Sequence, residues 1–251
     1  MIFYNGQYLK DDNIISINDS GFTTGIGIFD SMLAHKGELI HCIDHYDRII
    51  FDSNNVIGLK PNLSFNNFVS ICRKLLGENN LNNDYARIRT TITGSITLKP
   101  LSKSTTTSLL VHVAKAIAPN ENEIITAAII KNYPRIVGCG LENSKRLDYS
   151  RSYAARRYAE KLGAQEAILT NTDGNIACGA TSNIFIKENG KLFTPPLTDG
   201  VLAGVTRKDI LRKNPTAKQE SISVERLKKA DAIYLTNSFL GMKLVKLSTS
   251  L

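Results

Sequence analysis

The chain has 251 residues, 42% of them hydrophobic and 22% charged, with a formal net charge of +8. That length supports one large hydrophobic core or two small ones, and no apolar run approaches the roughly 20 residues that span a bilayer, so no membrane segment is expected. The basic residues are dispersed, as in Arg73-Lys74, Arg156-Arg157 and Lys228-Lys229, with no aromatic-interleaved basic motif. The charge therefore reads as a solvated surface that attracts small anions, not as a nucleic-acid site. Cys42, Cys72, Cys139 and Cys178 have no paired spacing, which argues against a disulfide framework or a zinc site.

Met1 to Gly6 reads as a strand plus turn and lacks the basic start of a signal peptide, so a cytoplasmic protein is expected. Ile14-Ile15-Ser16-Ile17 is a short strand candidate. Phe29 to His35, then Lys36-Gly37, then Glu38 to His41 predicts a hairpin with glycine at its turn. Ile43, Tyr46, Ile49 and Ile50 follow at helical spacing. A second helix is predicted over Phe65 to Leu76, with Ser64 as its N-cap. Two strands follow, Ala86 to Thr93 and Ser108 to Val113. The polar, proline-marked stretch around Pro119 to Asn122 reads as a linker. After it come a strand from Ile124 to Lys131 and a helix from Ser150 to Leu162 that stops at Gly163. Three strands come next: Glu166 to Thr170, Asn183 to Lys187 and Lys191 to Thr194. Asn189-Gly190 is a strong hairpin turn between the last two, because both residues tolerate positive φ. A helix beginning at Val205 or Thr206 and a last strand from Ala232 to Thr236 complete the pattern. The expected organisation is α+β in two domains: a small one over 1–118, a linker at 119–122, and a larger one over 123–251.

Four blocks carry candidate chemistry. The first is Ser144-Lys145-Arg146-Leu147-Asp148-Tyr149, ahead of the predicted helix. A lysine amine can condense with an aldehyde, exchange for a substrate amine, and then move a proton. The second is Gly200-Val201-Leu202-Ala203-Gly204-Val205-Thr206-Arg207, glycines opening a helix. Free N–H groups and the helix dipole favour an anion there. The third is Asp44-His45-Tyr46-Asp47-Arg48-Ile49, whose guanidinium can grip a phosphate with two parallel hydrogen bonds. The fourth is Tyr234-Leu235-Thr236-Asn237-Ser238, small hydroxyl residues at a strand end. Upstream lie Asn18-Asp19-Ser20-Gly21-Phe22 and Gly25-Ile26-Gly27-Ile28-Phe29.

In this order the blocks resemble the class IV aminotransferases, the fold-type IV enzymes of pyridoxal 5′-phosphate (PLP), and the resemblance spans nearly the whole chain. It implies the two-domain fold of the D-amino-acid aminotransferases. It implies that Lys145 is the Schiff-base residue and proton carrier, and that Arg48, Val205, Thr206 and Ser238, with Asn237 beside it, hold the cofactor phosphate. Tyr149 would reach the cofactor's phenolic oxygen. Phe29, His45, Thr181, Ser182 and Asn183 would line the substrate side. A homodimer is implied as well, since such enzymes generally build their sites at a dimer interface.

The chain departs from the family's pattern in one telling place. Through Asp173-Gly174-Asn175-Ile176-Ala177-Cys178-Gly179-Ala180-Thr181-Ser182-Asn183, Cys178 stands where the resemblance puts a glutamate that keeps the cofactor's pyridine nitrogen protonated. A thiol with an ordinary pKa of about 8.5 is a poor counter-ion at neutral pH. Smaller departures are Asp148 for asparagine, Ile26 for an acid, and Thr93 where many members carry arginine. Transamination of a small amino compound is the default expectation. The alternatives are a 4-amino-4-deoxychorismate lyase, which forms p-aminobenzoate and pyruvate, and a PLP-binding protein whose catalysis is weakened by Cys178.

Overall fold

A computed structural model gives the fold and describes residues 1–10, 14–95, 106–120 and 122–248. The chain divides into two compact units. The first comprises Met1–Ala118 together with Ser144–Asp148, and the second Pro119–Asn143 together with Tyr149–Leu251.

Among the described residues the first unit holds six strands: β1 (Ile2–Tyr4), β2 (Gln7–Leu9), β3 (Gly27–His35), β4 (Glu38–Leu39), β5 (Tyr85–Thr93) and β6 (Ser108–Lys115). They form one sheet in the order β2-β1-β6-β5-β3-β4, with every pairing antiparallel. Three helices accompany it: α1 (Ser20–Thr24), α2 (Cys42–Phe51) and α3 (Phe65–Glu78). The period of two along the strands sorts the faces. Ile28, Met32 and Ala34 of β3 and Ala86, Ile88 and Ile92 of β5 share a core with Ile49 of α2 and with Leu75 and Leu76 of α3. In α3 the buried Phe68, Ile71, Cys72, Leu75 and Leu76 fall at helical spacing on one face, and Ser64 Oγ accepts from Asn67 N–H at 3.3 Å as the N-cap. The Lys36-Gly37 turn has φ of 50° and 77°, as a tight hairpin requires.

Ile14–Ile17 is not a strand. Ile15 and Ile17 are exposed, and Ser16 instead organises the approach to α1. Its carbonyl accepts from Asp19 N–H and its hydroxyl from Asn18 N–H. Local side-chain hydrogen bonds of this kind compete with strand pairing.

The second unit adds β7 (Ile125–Arg135), α4 (Ser150–Lys161), β8 (Glu166–Asn171), β9 (Ile176–Gly179), β10 (Asn183–Glu188), β11 (Lys191–Thr194), α5 (Val205–Lys213), β12 (Lys218–Gln219), α6 (Val224–Lys229), β13 (Ala232–Asn237) and β14 (Gly241–Leu247). The strands form a mixed sheet in the order β12-β11-β10-β13-β14-β7-β8-β9, with β7 parallel to both neighbours. One face carries α4, whose Ala155 and Ala159 pack with Ala128, Ala167 and Leu169. Alanines let helix and sheet approach closely. The other face buries Ile168, Ile176, Ile184, Ile186 and Leu235 beneath α6, which contributes Val224 and Leu227. Asn189 and Gly190 take φ of 48° and 77°, the turn read from the sequence. In this unit the sequence reading did not anticipate β9, β12, α6 and β14. The first three are four, two and six residues long, and β14 exposes Met242, Leu244 and Lys246 in alternation.

The five residues Ser144–Asp148 leave the second unit's chain and run antiparallel along the start of β3. Phe29 N–H donates to the Lys145 carbonyl at 2.9 Å, and Leu147 N–H to the Gly27 carbonyl at 3.0 Å. Glycine is needed at position 27, because a Cβ there would collide with the Leu147 side chain and lie 2.8 Å from the Ile92 carbonyl oxygen.

Candidate active site

In the first unit the fold assembles a charged cluster around Lys145. The Lys145 backbone is held on both sides of its Cα. Its carbonyl accepts from Phe29 N–H, and its N–H donates to Asp52 Oδ2 at 3.0 Å. Its Nζ lies 4.4 Å from the Phe29 ring centroid. The Arg89 guanidinium, projecting from β5, lies 3.9 Å from the same centroid, in the range of a cation–π contact. Arg87 and Arg89 share this sheet with His112. Burial, then Arg89 and Arg87, hold the His112 imidazole below its usual range, so it adds no third charge at neutral pH.

Behind Lys145, α2 presents His45 and Arg48 one turn apart, and both bind Asp30 of β3. His45 Nδ1 lies 2.6 Å from Asp30 Oδ1. Arg48 approaches Asp30 Oδ2 through Nε at 2.8 Å and Nη2 at 2.7 Å. Burial alone would raise the Asp30 carboxyl. The Arg48 guanidinium and His45 outweigh it and hold the group well below the usual carboxylate range. An ionised Asp30 only accepts, so Nδ1 of His45 carries the proton. His45 is itself 1% exposed, packed in the interior with its Nδ1 committed to Asp30. Thr93, at the position where the resemblance suggests arginine, is buried and donates to Asp19 Oδ2 at 2.8 Å.

In the second unit the glycine-bounded loop before α5 is tied down carbonyl by carbonyl. Arg135 Nε donates to the Gly200 carbonyl at 2.8 Å. Asn143 Nδ2 donates to the Val201 carbonyl at 2.7 Å, and Asn183 Nδ2 to the Leu202 carbonyl at 2.9 Å. Ala203 N–H donates back to the Asn143 carbonyl at 3.1 Å. Gly204 is the N-cap of α5, with no side-chain cap and no acidic residue in the first turn. A Cβ on Gly204 would collide with Asn183 Oδ1, so glycine is what lets the loop lie against β10. The amides of Val205 and Thr206 thus open a fixed helix end, where an anion is favoured.

Asn183 pairs with Thr236 across β10 and β13, so their side chains share a face. The Thr236 hydroxyl is buried without a hydrogen-bond partner, and so is that of Ser182. Asn237 is engaged: its Nδ2 donates to the Thr181 carbonyl, and its Oδ1 accepts from Phe239 and Leu240 N–H. Thr181 Oγ1 donates to Glu166 Oε2 at 2.7 Å. Ser238 follows the end of β13, and the half-buried Tyr149 is the residue before α4. Cys178 of β9 is buried in the apolar cluster beneath α4. Burial pushes its thiol up, against the pull of Arg135, with Glu142 and Glu166 pushing further up. The thiol is therefore neutral at pH 7. Beside it Arg135 and Arg151 both pair with the buried carboxylate of Glu142.

In the second unit a helix end open to an anion lies by orphan hydroxyls at the adjoining strand ends, and in the first unit a lysine has a fixed backbone; each is a feature that a phosphorylated aldehyde cofactor requires. The profile described as amino-transferase class IV matches residues 27–247. The chain belongs to the class IV aminotransferase family. It is a PLP-dependent enzyme of that family. It is 28% identical over 248 residues to the D-alanine aminotransferase of Staphylococcus epidermidis, covering 94% of this chain and 85% of that one. It is 30% identical over 260 residues to the aminodeoxychorismate lyase of Bacillus subtilis, covering 96% and 84%. Among solved structures, the branched-chain aminotransferase of Thermoproteus uzoniensis superposes with a TM-score of 0.90 at 22% identity, over 100% of this chain and 88% of that one. A Mycobacterium tuberculosis aminotransferase in its PLP-bound form gives 0.85 at 19% identity, over 100% and 92%.

The sequence reading missed Asp30, Asp52, Arg89 and the Arg135–Glu142–Arg151 network. Asp30 directly follows Phe29, and Asp52 lies one turn beyond Arg48. An acid at either place in an otherwise apolar stretch was the available signal.

Proposed function

We propose that this enzyme transfers the amino group of a small amino acid, with Lys145 carrying PLP and its Nζ moving the substrate's α-proton. The observation that carries this reading is the Phe29 ring, which has the Lys145 amine 4.4 Å from its centroid and the Arg89 guanidinium 3.9 Å from it. An amine supplies the carbonyl chemistry, and a guanidinium is the natural seat for a carboxylate. Bound PLP supplies the aldehyde and the electron-withdrawing ring that stabilises charge at the substrate's α-carbon. Val205 and Thr206 amides, the Thr206 hydroxyl, Ser238 and Arg48 are the proposed phosphate ligands, with Asn237 bracing the Ser238 turn. Tyr149 is assigned to the cofactor's phenolic oxygen, and Phe29, Thr181, Ser182 and Asn183 to the substrate side. His45 acts through Asp30, orienting the carboxylate that in turn holds Arg48.

A second reading, aminodeoxychorismate lyase, is favoured by the 30% identity to the Bacillus subtilis enzyme. Incubation with PLP, borohydride reduction and digestion should label Lys145. An unlabelled lysine overturns the cofactor assignment. Exchange of an amino group with a keto acid separates transfer from elimination, which would instead release pyruvate and p-aminobenzoate.

Arg89→Gln should raise KM for an amino acid roughly tenfold to a hundredfold, the worth of a charge-assisted hydrogen bond, while an amine lacking the carboxylate is spared. Equal effects on both substrates would remove Arg89 from the carboxylate site. Cys178 is assigned to the position of the family's ring-nitrogen carboxylate, where its neutral thiol is a poor counter-ion for a protonated ring nitrogen. Cys178→Glu should therefore raise transaminase turnover, and an unchanged rate would refute that account. A cytoplasmic homodimer is the proposed assembly, supported by the exposed apolar side chains of Ile17, Phe22 and Tyr153. Sedimentation velocity should read a dimer mass, and a monomer at micromolar concentration overturns it.

A further inference from the structure

We infer that Asp52 is a positioning residue for Lys145, holding the lysine's backbone through its N–H and setting the electrostatic field in which its amine titrates. The inference rests on the reading of Lys145 as the PLP lysine. Four observations within the first unit support it.

Asp52 is 3% exposed, and its Oδ2 accepts from Lys145 N–H at 3.0 Å, across 93 residues of sequence. That bond takes the N–H of a residue whose carbonyl already accepts from Phe29 N–H, so the Lys145 backbone is fixed on both sides of its Cα. Asp52 also stands where α2 gives way to a π-turn, Asp52–Val56. Such turns are rare and are frequent at functional sites. Here the turn aims a carboxylate inward one turn after Arg48, on the side where Ser144–Asp148 lies along β3.

The neighbours of Asp52 divide the buried charge unevenly. Arg48 is taken by Asp30, which His45 also binds. Burial pushes the Asp52 carboxyl up to about 6, against the pull of the Lys145 N–H and of the Arg48 charge, with Asp30 repelling and the Lys145 ammonium attracting. The groups that face it are therefore Arg48 and, through Asp30, His45 from α2, Asp30 from β3, and Lys145 from the connecting segment. A carboxylate in this position stabilises the protonated form of nitrogen at Lys145. Its own protonation below about pH 6 removes that stabilisation and weakens its hold on the N–H.

The test uses the PLP-loaded enzyme and two variants, Asp52→Asn and Asp52→Ala. The readouts are the pH titration of the bound cofactor's absorbance, PLP affinity, and thermal unfolding. Asp52→Asn keeps an oxygen for the Lys145 N–H but no charge. Its absorbance titration should move to lower pH, and an inflection near pH 6 seen in the native enzyme should vanish. Asp52→Ala loses the hydrogen bond as well and should bind PLP about tenfold more weakly. Variants that titrate and bind PLP as the native enzyme does overturn the inference. So does a lowered unfolding temperature with an unmoved titration, which would make Asp52 a purely structural residue. If the native enzyme itself shows no PLP absorbance and no borohydride label at Lys145, the cofactor reading has failed instead, which is a separate outcome.

Discussion

The antiparallel pairing of Lys145–Leu147 with Gly27–Phe29 decides where the Lys145 amine stands, and the first unit's buried charges are arranged around it. A lysine side chain carries four rotatable bonds and about 2 kcal/mol of rotamer entropy. Its amine is useful only if the backbone beneath it does not add further freedom. Two strand-type hydrogen bonds and the Asp52 bond remove that freedom. They do so at an edge where Gly27 admits the Leu147 side chain against its own backbone. The apolar Phe29 ring then gives the stem a surface to lie on.

Around that fixed point the first unit uses two buried carboxylates in opposite ways. Asp30 meets the Arg48 guanidinium and the His45 ring at hydrogen-bonding distance and stays ionised far into acid. Asp52 is left with a single backbone donor and more distant charges, so burial wins. For Asp30 the folded-state pKa is depressed. Its contribution to stability is present above the ordinary aspartate pKa near 4 and fades as pH falls. For Asp52 the pKa is raised. Its contribution is greatest in acid and is lost as pH rises through about 6. The same residue type thus acts once as a permanent anchor for α2 and once as a group able to titrate in a working range of pH.

Much of this was legible in the sequence, because its strongest signals are local. The alternation in Ala86 to Thr93, the Lys36-Gly37 and Asn189-Gly190 turns, and the Ser64 cap are each decided within a few residues, and the structure has them all. Ile14–Ile17 is β-branched enough to look like a strand, yet Ser16 spends its hydrogen bonds on the turn into α1. β14 buries Lys243 with Val245 and exposes Met242 and Leu244, the reverse of a readable polar alternation, and its pairing with the distant β7 is set by topology, which a local pattern does not record. The motif around Lys145 singled out that lysine but said nothing of its neighbours in space. Asp52 reaches it across 93 residues, and Arg89 through the sheet register that sets β5 against β3.

The proposed phosphate site sets the second unit a different problem, that of presenting amides to an anion without letting the loop that carries them collapse. Loop carbonyls compete for the same N–H groups an anion needs, and a mobile loop would satisfy them internally. Here the carbonyls of Gly200, Val201 and Leu202 are given to Arg135, Asn143 and Asn183. The side chains that take them come from three different segments of the unit. The amides beyond Gly204 are thereby left to the helix end, beside a Thr236 hydroxyl that has no other use for its hydrogen bond. An orphan hydroxyl buried at 1% exposure costs free energy. On the proposed reading, holding that cost in a rigid frame lets a phosphate gain contacts without having to order the loop first.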